Sequence, residues 1–185
     1  MKNVLKHLVA IGVICTSIVA NSVIAHATDT LFPQVGVQTI IQDITEDEAK
    51  WAYAKELGTI NSDELRLMSA IIWCEAGNQC EAGQQAVGIV VMNRVADEAN
   101  FGSTVEEVIY WPGQFRPRDD GRLNKALKMY DNGELPEDCI KAARYALLGN
   151  DTVNYNGQEI DMSEILYFAR ELSNASLRIE DHDFR

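Results

Sequence analysis

Apolar residues recur along most of this chain at the three- and four-residue spacing that is typical of helices. This spacing and the capping signals predict helices over residues 45–57, 61–76, 81–97, 103–110 and 136–148. Residues 165–168 are the best strand candidate, with residues 182–184 as the candidate partner. Residues 28–44 read as an extended leader and residues 119–132 as a polar stretch. The chain is therefore expected to be mainly helical, with a small sheet.

The second predicted helix ends in an acidic residue on its apolar side. Leu65, Met68 and Ile72 share one face at positions i, i+3 and i+7, and Glu75 follows three residues later. Gly77 then breaks the helix. The carboxylate of Glu75 is therefore predicted to point along the buried side of the last turn.

A carboxylate in this position suits a general acid. The negative end of the helix dipole and the apolar surroundings both disfavour the ionised form of Glu75. A carboxylic acid that stays protonated near neutral pH can donate its proton to a glycosidic oxygen. The alternative is that Glu75 lies in solvent at a frayed helix end.

The start of the chain has the layout of a secretory signal peptide. Lys2 and Lys6 precede an apolar run over residues 8–20, and a small-residue site at Ala25-His26-Ala27 follows it. We predict cleavage after this site, a secreted or wall-associated protein, and no stable membrane anchor afterwards. The predicted regions are a signal peptide (1–27), a leader with a short helix (28–60) and a catalytic domain (61–185).

Charge and histidine content narrow the partners and the chemistry. The formal net charge of −12 becomes −14 when the two lysines of the signal peptide leave, so nucleic acid is not an expected partner. His182 is the one histidine that remains after cleavage, which excludes a zinc centre of several histidines. No metal or cofactor is predicted, and the oligomeric state is left open.

Three cysteines remain after cleavage, and an exported protein can oxidise a pair of them. Cys74 lies on a predicted helix and is expected to face the core. We favour a disulfide between Cys80 and Cys139, which would tie a helix start to a later helix. A bridge between Cys74 and Cys80 is the alternative.

An aromatic loop follows the fourth predicted helix. Trp111-Pro112-Gly113-Gln114-Phe115 cannot continue a helix, because a proline and a glycine interrupt it. Aromatic faces stack on sugar rings and amides bond sugar hydroxyls, so the loop suits a carbohydrate cleft. The alternative is that Trp111 and Phe115 anchor the loop in the core.

Several short blocks follow one another at a specific spacing between residues 64 and 115. They are Cys74-Glu75-Ala76-Gly77, Gly83-Gln84, Val90-Val91-Met92-Asn93-Arg94-Val95, Val108-Ile109-Tyr110 and Pro112-Gly113-Gln114-Phe115. With these blocks, residues 64–115 resemble the catalytic domain of the spore-cortex-lytic, SleB-type cell-wall hydrolases. The likeness continues more weakly through Tyr167-Phe168 to His182 and Phe184.

The resemblance implies a mainly helical α+β domain of the lysozyme-like kind, with a small antiparallel sheet beside the cleft. It also implies that peptidoglycan glycan strands are the substrate and that Glu75 is the catalytic glutamate. The residues expected to bind the substrate are Gln84, Tyr110, Gln114, Phe115, Tyr167 and His182.

The number of candidate carboxylates favours a lytic transglycosylase. Ordinary glycosidases use two acids, whereas Glu75 is the one acid that is well placed in a motif block. A transglycosylase protonates the bond between N-acetylmuramic acid and N-acetylglucosamine and closes a 1,6-anhydro ring with the muramyl C6 hydroxyl. Hydrolysis would need a second acid, for which Glu81, Asp97 and Glu107 are the candidates.

Two other classes of function are kept as alternatives. A cysteine amidase or peptidase would use Cys74 or Cys80 with His182, although no residue is assignable to orient the histidine. A non-catalytic wall-binding or regulatory domain would not need Glu75 at all.

Overall fold

A computed structural model describes residues 46–56, 58 and 61–185 of the 185-residue chain. The predicted signal peptide (1–27) and the predicted extended leader (28–44) lie outside the described residues. The helices are α1 (Glu46–Glu56), α2 (Ser62–Ala76), α3 (Glu81–Ala96), α4 (Val105–Tyr110), α5 (Arg116–Asp119), α6 (Arg122–Asp131) and α7 (Glu137–Leu147). The strands are β1 (Thr152–Tyr155), β2 (Gln158–Asp161), β3 (Phe168–Ala169), β4 (Leu177–Ile179) and β5 (His182–Phe184).

Residues 54–185 form a compact unit that contains all the elements from α2 to β5. The described residues include no helix that is long and apolar enough to cross a membrane.

The sequence correctly predicts the course of α2. The Asn61 side chain accepts a hydrogen bond from the backbone N–H of Asp63 at 2.8 Å and so caps the helix. Met68 and Ile72 are fully buried on the predicted face. Ser69, the one polar residue of the stripe, is also buried, and its hydroxyl donates to the Leu65 carbonyl at 2.7 Å. This bond removes the cost of burying an unpaired hydroxyl.

Helix α3 is the central helix, and it approaches its neighbours most closely at Gly88. A Cβ at this position would lie 2.9 Å from the Ala146 Cβ on α7 and 3.1 Å from the Ile72 Cδ1 on α2. Only glycine lets the three helices pack this tightly. The apolar core continues from α3 to the strands through buried residues such as Ile179 and Phe184.

Two details of the helical prediction need correction. Thr104 caps α4, not Ser103, because the Thr104 side chain accepts from the N–H of Glu107 at 3.1 Å. The predicted polar stretch of residues 119–132 contains helix α6. Its buried residues, Leu123, Ala126 and Leu127, are spaced as one helical face and lie on the side that packs on α2.

The strands form two small antiparallel sheets. Strands β1 and β2 form a hairpin in which Asn156 and Gly157, with φ of 54° and 76°, make the turn. An Asn-Gly pair is the typical sequence of this turn, so the sequence contains a local signal for this hairpin, which the prediction lacked. The second sheet has the order β3-β5-β4.

The predicted pairing of the second sheet is right, but its first strand is shorter than predicted. Phe168 pairs with Phe184, as the predicted partners require. The carbonyls of Ile165 and Leu166 instead accept hydrogen bonds from the side chains of Asn93 and Arg94 on α3. The architecture as a whole is the mainly helical, lysozyme-like α+β arrangement that the resemblance implies.

Candidate active site

Glu75 lies in the last turn of α2, and its side chain is half-buried. Burial raises the pKa of the Glu75 carboxyl above its ordinary value, since the ionised form loses hydration. The expected direction of the pKa shift is therefore found, with burial as its main cause. A group of this kind can hold a proton at a pH where an exposed glutamate has lost it.

Four charged residues from other elements act on the Glu75 carboxyl. Three arginines counteract the effect of burial on its pKa, and Arg122 does so most strongly, ahead of Arg116 and Arg94. The carboxylate of Asp120 acts in the opposite direction and raises the pKa further. Glu75 therefore lies in a mainly cationic setting within an acidic protein.

Asp120 and Arg122 are linked to each other and to the end of α2. The Asp120 carboxylate accepts from the backbone N–H of Arg122 at 3.0 Å and from its guanidinium Nε at 2.9 Å. The same guanidinium donates through Nη1 to the carbonyl of Cys74 at 3.3 Å. The sequence interpretation missed both residues, although an aspartate before Gly121 at a helix start is a recognisable turn signal.

Arg94 lies almost completely buried in a cage of aromatic rings, with 4% of its surface exposed. Its guanidinium carbon is 5.2 Å from the ring centroids of Phe101 and Phe115 and 5.8 Å from that of Tyr167. Its Nε donates to the carbonyl of Leu166 at 2.8 Å. Burial lowers the pKa of Arg94 to about 10, which still leaves it charged at neutral pH. It therefore carries a fixed positive charge under the site.

Three of the residues predicted to bind substrate have accessible side chains. Tyr110 and Tyr167 are 39% and 41% exposed, and Gln114 is half-buried. The neighbouring Trp111 is 46% exposed, so it does not anchor the loop in the core. The carbonyl of Tyr110 accepts a hydrogen bond from Arg118, which ties the loop to α5.

The other three lie inside the protein. Phe115 packs against Phe168, with 6.4 Å between the ring centroids, and against the guanidinium of Arg94. Gln84 donates to the carbonyl of Gln79 at 3.2 Å, and its Oε1 atom has no partner among the described residues. The ring of His182 lies 5.5 Å from that of Phe168, and burial lowers the pKa of His182. In this structure the side chains of these three residues are buried, whereas those of Tyr110, Gln114 and Tyr167 are accessible.

The predicted disulfide between Cys80 and Cys139 is not formed. Cys74, Cys80 and Cys139 are all free thiols. Cys80 packs against the apolar cluster between α3 and the strands, whereas Cys139 lies buried on α7 and its charged form would repel that of Cys74. Cys80 is half-buried and Cys139 is buried, and neither forms the predicted bridge.

The remaining candidate acids show no link to Glu75. The carboxylate of Glu107 accepts from the N–H and the hydroxyl of Ser103 at 2.7 and 2.9 Å, and these bonds lower its pKa. Glu81 is exposed, and Asp97 follows the end of α3. Within the part of the chain that the structure describes, no group of three or more His, Cys, Asp or Glu residues could hold a metal ion.

We expect Glu75→Gln to stabilise the fold at neutral pH. The folded-state pKa of Glu75 is raised, so its contribution to stability is present below the unfolded pKa and is lost as pH rises through the folded pKa. The neutral amide avoids this loss. Melting temperatures of both proteins between about pH 3.5 and pH 8 check this, since unfolded Glu has a pKa of about 4.3. If Glu75→Gln raised the melting temperature by the same amount at every pH, the ionisation of Glu75 would not be the cause.

Comparison with protein families shows the family of this chain. The model of the Cell Wall Hydrolase family matches residues 78–184, which is more than half of the chain. The match contains Asp120, Arg122 and the aromatic loop, and it begins three residues after Glu75. No curated protein matches the chain, and no solved structure does either. The chain therefore belongs to the Cell Wall Hydrolase family, the SleB-type enzymes that its sequence resembles.

Proposed function

We propose that this protein is a lytic transglycosylase that cuts peptidoglycan glycan strands between N-acetylmuramic acid and N-acetylglucosamine. The observation that carries the proposal is the half-buried carboxyl of Glu75, whose pKa burial raises while arginines surround it. Such a group is suited both to donate a proton and to take one back.

Membership of the family makes the chain a wall-degrading enzyme with peptidoglycan as its substrate, and an extracellular or wall-associated protein. The proposal adds the bond that is cut, the reaction type and the residues. It also includes export through residues 1–27 and a catalytic domain that begins near residue 61.

In the first step the Glu75 carboxylic acid donates its proton to the glycosidic oxygen, and the bond from this oxygen to C1 of the muramic acid breaks. Positive charge then develops at C1, beside the newly formed Glu75 carboxylate. Arg122, Arg116 and Arg94 favour this carboxylate, because opposite charges lower its pKa. The arginines thereby offset part of the rise in the Glu75 pKa that burial causes.

In the second step the Glu75 carboxylate takes the proton of the muramyl C6 hydroxyl. The C6 oxygen bonds to C1 and closes the 1,6-anhydro ring, so no water is consumed. The carboxylic acid is restored for the next cycle. Tyr110, Gln114 and Tyr167 are proposed to contact the glycan, while Gln84, Phe115 and His182 hold these contacts in place.

Hydrolysis is the second candidate, and Asp120 is the observation that favours it. Its carboxylate is close enough to Glu75 to raise the Glu75 pKa, so it could orient a water molecule. However, hydrogen bonds from the N–H and the guanidinium of Arg122 lower the pKa of Asp120. A carboxylate with a lowered pKa is a weak base, and we therefore favour the transglycosylase.

The cysteine-dependent alternative is not favoured for Cys74. Burial raises the pKa of the Cys74 thiol to about 12. A catalytic cysteine needs the opposite shift, because the thiolate is the nucleophile.

Mass spectrometry of the fragments released from purified cell walls tests the proposal. Muropeptides with 1,6-anhydro ends would support the transglycosylase, and the Glu75→Gln variant should release none of them. Reducing ends would show hydrolysis and direct attention to Asp120. Free stem peptides would overturn the proposal in favour of an amidase or peptidase.

A further inference from the structure

Arg122 connects two features that are distant in the sequence, the turn before α6 and the last turn of α2. Near the end of α2, the carbonyls of Trp73 and Ala76 accept backbone hydrogen bonds from Gly77 and Gln79. The carbonyl of Cys74, which directly precedes Glu75, accepts from the Arg122 guanidinium instead. A cation at this end of a helix also interacts favourably with the helix dipole.

Asp120 fixes the direction of this guanidinium. It binds both the backbone N–H and the Nε atom of Arg122, and Gly121 between them adopts a φ of 83° that favours glycine. The Nη1 atom is thereby directed to α2. The arrangement depends on the planar fork of arginine, since one guanidinium meets a carboxylate and a carbonyl at the same time.

We propose that the Asp120–Arg122 pair is a positioning device for Glu75, which clamps the end of α2 and sets one guanidinium beside the catalytic carboxyl. This inference rests on the proposed function, because it assigns a role in the reaction of Glu75. Neither residue takes part in bond making or breaking. Arg122 acts through the place and the ionisation of Glu75, and Asp120 acts through Arg122.

The charged groups around Glu75 determine in which direction each substitution shifts the pKa of Glu75. Asp120 faces Glu75 from the turn before α6, Arg122 from the first residue of α6, Arg116 from α5 and Arg94 from α3. The Cys74 thiol adjoins it on α2. Removal of Arg122 takes away the strongest opposing charge and leaves Asp120 unneutralised. Both changes raise the pKa of Glu75. Removal of the Asp120 charge lowers the pKa of Glu75.

The experiment compares pH profiles of kcat/KM on purified peptidoglycan for the wild type, Arg122→Gln and Asp120→Asn. We expect the limb on which activity falls with rising pH to move to higher pH in Arg122→Gln and to lower pH in Asp120→Asn. We also expect kcat of Arg122→Gln to fall by roughly 10- to 100-fold, because a small displacement of a catalytic group has such effects. Arg122→Lys, which keeps the charge without the fork, should restore the limb but only part of kcat.

A matched control lies at the other end of the same two helices. Arg66 on α2 donates from two nitrogens to the carboxylate of Asp131, the last residue of α6. Arg66→Gln breaks a comparable tie between α2 and α6, far along α2 from Glu75. It should lower the melting temperature without moving the pH profile.

The outcomes separate this inference from the proposed function. If Glu75→Gln keeps its activity, the proposed function fails and this role fails with it. If Glu75→Gln is inactive but both Arg122→Gln and Asp120→Asn keep the wild-type profile, only the positioning role is wrong. Shifts of the same sign in both variants would likewise overturn it. Should Arg122→Gln not fold, the direction of the shift in Asp120→Asn decides.

Discussion

Replacement of Glu75 by glutamine is expected to abolish cleavage of the glycan while the protein stays folded. Glutamine has nearly the size and shape of a protonated glutamate, but it cannot transfer a proton. The loss of a general acid costs on the order of 10²–10⁴-fold in rate. The loss should exceed this range, because the proposed mechanism uses the same group as the base in its second step.

Release of soluble muropeptides from purified walls measures this effect, with circular dichroism as the check on folding. Glu106→Gln is the matched control, since Glu106 is exposed on α4 and the same substitution there should leave turnover unchanged. A folded Glu75→Gln protein that keeps most of the wild-type activity would rule out the mechanism. It would leave open a wall-binding or regulatory role for the domain.

The position of Glu75 was predictable because it depends on local rules. An Asn61 cap starts α2, the apolar face runs along it, and the helix ends just before Gly77, so the carboxyl lies at the end of a buried stripe. The half-buried side chain and the raised pKa follow from that placement. The strand at residues 182–184 was also predicted, and its Phe184 pairs with Phe168.

The surroundings of Glu75 were not predictable, because they depend on the packing of distant segments. Arg122 is 47 positions away in the chain and reaches Cys74 only because α6 packs on α2. The same limit applies to the cysteines, since layout along the chain says little about which buried thiols face each other. Helix α6 was missed for a different reason. Most of its residues are polar or charged, and its short apolar face packs on α2, which is distant in the sequence.

The structure also separates two aromatic residues that the sequence placed together in the cleft. Phe115 is 2% exposed and packs against Phe168 and the guanidinium of Arg94, whereas Tyr110 is 39% exposed. A buried ring contributes mainly to stability, whereas an accessible ring can contact a sugar. Truncation of each ring should therefore have a different main effect.

Phe115→Ala is expected to destabilise the fold by about 3–5 kcal/mol, since the lost ring leaves a cavity beneath the site. Urea denaturation measures this as a lower transition midpoint. Ile89→Ala on α3, where Ile89 is 1% exposed, is the matched core truncation and should cost about 2–5 kcal/mol. Phe115→Ala should also lower activity, because Arg94 loses one of the three rings that hold its guanidinium.

Tyr110→Ala should instead shift the urea midpoint little and weaken the turnover of cell walls. Tyr110→Phe keeps the ring face that would stack on a sugar, so it should retain most of the turnover that Tyr110→Ala loses. The reverse pattern would contradict this division of roles. If Phe115→Ala were as stable as the wild type and lost turnover, while Tyr110→Ala unfolded readily, then Phe115 would be the residue that meets the glycan and Tyr110 the support.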